Sequence, residues 1–178
     1  MKPKILKQKI IFKNNWMKVR RTWLKFPKSK VVKWDDIIGH DAVVIIPIDK
    51  KNNVYLSKEW RSAFRREILH VPIGHAEGNI EKRRLKQVRN ELREEVGLDT
   101  RKIEKLAEVS ISLRDKTIFH IYLARNLFQH YKNPDKNEYI NVVRMPFKKA
   151  YRMFMRRKII SSESNLLAFL LAKEKLKL

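Results

Sequence analysis

Three glutamates, Glu91, Glu94 and Glu95, stand at positions i, i+3 and i+4 of a segment whose apolar residues Leu85, Val88, Leu92 and Val96 recur every three or four positions. That spacing predicts a helix over residues 80–96, with the three carboxylates inside one narrow arc of its surface. Carboxylates so placed repel one another, and some cation must offset them. The plainer account is an exposed face whose acids pair with Arg89 and Arg93, since a charge run is usually a solvated face. Context argues for chemistry. A strand-like stretch, residues 66–71, leads into Pro72-Ile73-Gly74-His75-Ala76-Glu77-Gly78-Asn79, a loop with two of the four glycines in the chain, and Gly97 follows the helix as a left-handed stop. His75, beside Gly74, could touch phosphate or be incidental; His40, His70, His120 and His130 show no ligand spacing. With no cysteine, disulfides, thiolate catalysis and Cys-based zinc sites are excluded.

The stretch Asn90-Glu91-Leu92-Arg93-Glu94-Glu95-Val96-Gly97-Leu98, with Pro72-Ile73-Gly74 upstream, resembles the Nudix box, G-x5-E-x7-R-E-U-x-E-E-x-G-U with U aliphatic. The second half matches at every fixed position except Asn90, which stands where the family has Arg. In the first half either the loop is two residues longer or Ala76 replaces the glycine. Lys82 falls where the family's first Glu belongs, next to Glu81. Beyond the box, Asn15-Trp16-Met17-Lys18-Val19, Ala42-Val43-Val44-Ile45-Ile46-Pro47, Trp60-Arg61, the run from Arg66 to Gly74 and the closing helix near residues 166–172 are similar to the ADP-ribose pyrophosphatase branch of that family.

The resemblance implies an α+β Nudix fold: a mixed β-sheet flanked by helices in residues 39–178, preceded by an antiparallel β extension, residues 1–38, that builds a homodimer. It implies that Glu91, Glu95 and the Ile73 carbonyl hold Mg²⁺, with Mn²⁺ as the alternative, and that Glu94 assists as a further ligand or as the catalytic base. Asp115, the one acid of the short loop at residues 110–117, is the second candidate base; its plainer role is a turn residue. Trp60 could stack on a base and Arg61 grip phosphate near Gly74 and His75, or the two could be ordinary sheet packing and a solvated cation. The implied reaction is Mg²⁺-dependent cleavage of the pyrophosphate bond of a nucleoside diphosphate derivative such as ADP-ribose or an ADP-sugar. His70 departs from the branch, which has Glu there, and residues 110–117 replace its proline-aromatic substrate loop. Two other readings follow from these departures: a Nudix-fold protein that has lost hydrolysis and binds RNA or a ribonucleoprotein through its basic surface, or a hydrolase of capped or triphosphate RNA ends.

The elements that must position these groups are legible in outline. Residues 7–12, 16–25, 30–38, 41–48, 54–60 and 66–71 read as strands, the fourth so apolar that burial on both faces is expected. After the helix, residues 103–112, 116–124 and 138–145 read as strands, and 147–155 and 162–175 as helices, the last with Ser161 or Ser162 as N-cap. The order predicts a mainly antiparallel sheet with helices packed on it. At 43% hydrophobic residues the 178-residue chain has the material for a core, despite 42 Lys or Arg against 19 Asp or Glu and a net charge of +23. The first 34 residues carry twelve of those cations and no acid, a surface that attracts phosphate. No apolar run approaches the ~20 residues of a membrane span and no cleavable leader is visible, so a cytoplasmic protein is expected.

Overall fold

The run Ala42-Val43-Val44-Ile45-Ile46 lies in strand β4 (Ala42–Pro47), and every residue of that strand is buried because it has a layer on each side. In the computed structural model, which describes residues 2–76, 78, 80–110, 112–130, 139–156 and 159–178, β4 pairs in parallel with β9 (Phe119–Gln129) and antiparallel with β7 (Ile73–His75). Strand β8 (Leu98–Val109) pairs antiparallel with β9, giving the order β7-β4-β9-β8. A second sheet, antiparallel throughout, has the order β10-β5-β6, from β5 (Asn53–Arg61), β6 (Arg66–His70) and β10 (Asn141–Pro146).

Strand alternation sends the side chains of β4 into two cores. Val43 and Ile45, with Tyr122 and Ala124 of β9, pack with Val88, Leu92 and Val96 of helix α1 (Glu81–Val96). Val44 and Ile46, with Ile121 and Leu123, pack with Phe147 and Phe154 of α2 (Phe147–Met155) and Phe169 of α3 (Glu163–Leu176). Gly97 ends α1 at φ 67, a left-handed conformation that costs glycine little, and its N–H reaches back to the Arg93 carbonyl. Ser162 is the N-cap of α3, its hydroxyl accepting from the Asn165 N–H.

These elements form one compact unit, residues 42–109 and 119–178; the other comprises residues 1–41 and 110–118. The latter is a meander of β1 (Lys4–Lys13), β2 (Lys18–Lys25) and β3 (Val31–Ile38), antiparallel in the order β1-β2-β3. The segment after Ser110 is tied to β3: the Ile37 N–H donates to the Arg114 carbonyl and the Lys116 N–H to that of Ile37.

Several boundaries differ from the sequence reading. Strand β7 lies where a loop was expected, because three residues suffice to add an edge to β4. Strand β8 begins at Leu98 rather than 103; Asp99 and Thr100 are polar yet buried, so no alternation marks them. Residues 116–118 belong to the segment beside β3, and β9 runs on to Gln129. Glu138, expected to open the last strand, lies outside the described residues; β10 covers Asn141–Pro146. Among the described residues no helix is long and apolar enough to cross a membrane.

Candidate active site

The segment between β6 and β7 is fixed from three directions. Asn165 of α3 accepts the Val71 N–H at 2.7 Å, the Pro72 carbonyl accepts the Ile45 N–H of β4 at 2.9 Å, and a carboxylate oxygen of Glu95 on α1 accepts the Ile73 N–H at 3.0 Å. In an extended strand the N–H and C=O of one residue leave on the same side. The Ile73 carbonyl therefore faces the side on which Glu95 stands. Next in sequence, Gly74 meets Glu91 so closely that a Cβ on residue 74 would overlap the Glu91 carboxylate. Gln87, one turn earlier on α1, donates to Glu91 Oε1 at 2.8 Å and orients it.

Glu95 carries the strongest electrostatic signature. It is 4% exposed, and its second oxygen accepts from the Ser57 hydroxyl of β5, so this one carboxylate joins α1 to both sheets. Burial pushes its pKa up to about 7, opposed by His70, the Ser57 hydroxyl and the Ile73 N–H, while the negative charge of Glu59 adds to the rise. Residues 57, 59 and 61 alternate onto one face of β5, and Ser57 pairs across the sheet with His70 of β6. His70 is buried, with Nδ1 2.8 Å from the Val71 carbonyl and Nε2 3.7 Å from Glu59 Oε1. Glu59 is buried enough to raise its pKa, but His70 and Arg61 outweigh that and hold it below the usual carboxylate range.

The structure brings together Ile73, Gly74, Glu91 and Glu95, and adds Ser57, Glu59 and His70. Nothing near the box in sequence marks Ser57 or Glu59; their only signal is the polar alternation Ser57-Glu59-Arg61 in β5. Arg61 is present, bound to Glu59. Trp60, its neighbour on the strand, points to the opposite face and is 63% exposed. His75 ends β7 opposite Ala42, and Glu94 is half-buried on α1. Asp115 is a turn acceptor, taking the Thr117 N–H at 2.9 Å within the unit that holds β1 to β3. Arg89 and Arg93, the proposed partners of an exposed acidic face, instead grip Asp99 at 2.7 and 2.6 Å.

The donors suit a hard divalent cation. Two carboxylates and a backbone carbonyl supply oxygen only, which is what Mg²⁺ and Mn²⁺ favour, and a buried carboxylate whose pKa has risen to about 7 is one that a cation would restore to its charged form. Among the described residues no three acidic or imidazole side chains converge to cage a metal by themselves.

No family model matches the chain. The ADP-ribose pyrophosphatase of Bacillus subtilis (strain 168) is 22% identical to it over 145 residues, 79% of this chain and 77% of that protein. A crystal structure of an ADP compounds hydrolase superposes with a TM-score of 0.87 at 21% identity, covering 99% of this chain and 95% of that one. The fold is the Nudix fold, and the resemblance to ADP-ribose pyrophosphatase-like Nudix proteins that the box residues suggested holds over most of the chain.

Proposed function

We propose that this chain is a Nudix pyrophosphohydrolase, dependent on Mg²⁺ or Mn²⁺, that cleaves the pyrophosphate bond of a nucleoside diphosphate derivative, ADP-ribose and ADP-sugars first among them. The observation that carries the reading is the Glu95 carboxylate, buried and bonded to Ser57 and Ile73, beside a glycine against which Glu91 is packed. A buried carboxylate is costly to keep unless its charge has a use. The names of the two similar proteins point to ADP compounds as the class to test. Held by Glu91, Glu95 and the Ile73 carbonyl, the cation would neutralise a diphosphate and acidify an attacking water. Ser57 and the Ile73 N–H orient Glu95, and Gln87 orients Glu91. We assign the assisting base to Glu94, half-exposed on the same helix, ahead of Asp115, whose carboxylate already closes its own turn. Arg61 and His75 are the groups we assign to phosphate, and the exposed Trp60 ring to a base.

Product release from ADP-ribose, ADP-sugars and other nucleoside diphosphate derivatives, with and without Mg²⁺, tests this. Wild type should turn over at least one of them only with the cation, and Glu91→Gln and Glu95→Gln should each lose at least ~10²-fold. If wild type hydrolyses none, the chain is a binding protein on a Nudix scaffold.

We also propose that the β1 to β3 sheet carries a homodimer interface. Ile5 pairs with Leu24, and Ile10, Val32, Trp34 and Ile38 share their face of the sheet, with Ile5 57%, Ile10 43% and Trp34 44% exposed. Three large apolar side chains exposed on one small sheet face support an association surface there.

A further inference from the structure

The opposite face of that sheet has a different chemistry. In β1, the register places Lys4 across from Lys25, Lys7 from Trp23, Lys9 from Arg21 and Phe12 from Val19, and β3 adds Val31, Lys33, Asp35 and Ile37 beside the same β2 residues. Directly opposed residues share a face, so these side chains project together. Strict alternation along β1 would put Lys4 and Lys7 on opposite sides. Irregularities in the pairing, between Ile5 and Lys7 and again between Ile10 and Phe12, shift the register and return Lys7, Lys9 and Phe12 to one face. Five lysines (4, 7, 9, 25 and 33) thus surround Trp23. The one acid on the face, Asp35, is taken by Arg21 at 2.7 Å. Lys7 lies over the Trp23 ring, 5.5 Å from its centre.

We propose that this face binds single-stranded RNA, in addition to and independently of the hydrolytic site. Alternate residues of a strand repeat every ~6.6 Å and neighbouring strands lie ~4.8 Å apart, so the lysines form a flat lattice of positive charge. Lys7 and Lys9 on one edge and Lys33 on the other flank Trp23 and Arg21. A duplex offers phosphates on a curved surface and hides the faces of its bases; a single strand can lay its phosphates on the lysines and stack an unpaired base on Phe12, 48% exposed. A membrane surface would also answer the charge, but the exposed apolar side chains of this face, Phe12 and Ile37 in one row across the strands and Val31 at the far end, are separated by the charged rows and form no continuous patch for a bilayer to take up.

The test is binding of a fluorescent oligouridylate to the full-length protein at 50 and 200 mM salt. Wild type should lose on the order of 10²-fold or more in affinity between the two, as release of several counterions requires. The variant Lys7→Glu/Lys9→Glu should bind at least ~10-fold more weakly at 50 mM with a shallower salt dependence, and Phe12→Ser should weaken binding with that dependence unchanged. Lys13→Glu/Lys18→Glu makes the same change in charge on the opposite face and should stay within ~3-fold of wild type. An equal loss from both double variants would reduce the effect to net charge and overturn the assignment. So would wild-type binding to vesicles rich in phosphatidylserine without binding to RNA, or no RNA binding at 50 mM. Unchanged melting temperatures exclude misfolding, and the rate of diphosphate hydrolysis, read in parallel, separates failure of this proposal from failure of the hydrolase reading.

Discussion

Glu95 makes the pH dependence of stability a readout of the site. Its pKa in the folded, metal-free protein is about 7, against an ordinary value of 4.5, so folding favours the protonated form. The stability this gives is fully present below about pH 4.5 and is lost as pH rises through 7, a swing on the order of 3 kcal/mol. Chemical denaturation of metal-free protein at pH 5 and pH 8 should show that loss in wild type and a flatter profile in Glu95→Gln, which is neutral throughout. A Glu95 held charged by a cationic side chain would give the opposite slope. Gly74→Ala probes the neighbouring contact. Its methyl group must displace the Glu91 carboxylate, so turnover should fall by more than ~10-fold while the fold loses only about 1–3 kcal/mol; wild-type turnover in this variant would remove Glu91 from the site.

At the level of elements, α1 works because its two charged groups are kept apart. Arg89 and Arg93 bind Asp99 in the first residues of β8, leaving Glu91 and Glu95 to the β7 side. Asp99→Asn should cost about 1–2 kcal/mol in urea titration, with kcat unchanged under saturating cation, because it loosens the helix end without touching the site; a collapse of kcat would show the clamp to be part of it. This division also explains what was legible. The helix, its glycine stop and the candidate metal ligands could be read from the 3.6-residue period and the box, since both are local patterns. Ser57 and Glu59 could not, because only the pairing of β5 with β6 and the docking of α1 bring them to Glu95. Strand β7 was missed for a related reason: three residues after a proline carry no alternation, and β4 alone makes them a strand. The burial of Glu95 was hidden as well, since on helical spacing it belongs with the half-exposed Glu91 and Glu94.

At the scale of the molecule, the β1 to β3 sheet carries most of its lysines on one face, and the proposed homodimer uses the other. Light scattering should give twice the chain mass for wild type and a single chain mass for Ile10→Glu/Trp34→Glu; a monomeric wild type would end that proposal. The parallel pairing of β4 with β9, in which Ala42 meets Phe119, sets an order of assembly. The β1 to β3 meander joins neighbours in sequence and can close early, whereas β4 waits for a partner that leaves the ribosome only after α1 and β8. Until then the two-sided apolar strand has no lasting cover, and the growing chain must be kept from pairing it wrongly. Pulse-labelled hydrogen exchange during refolding should therefore find the amides of β2 protected before those of β4, and simultaneous protection would refute that order. The apolar strand at the centre of the larger unit is therefore the last piece to be secured, and the arrival of β9 sets the pace at which the sheet can close.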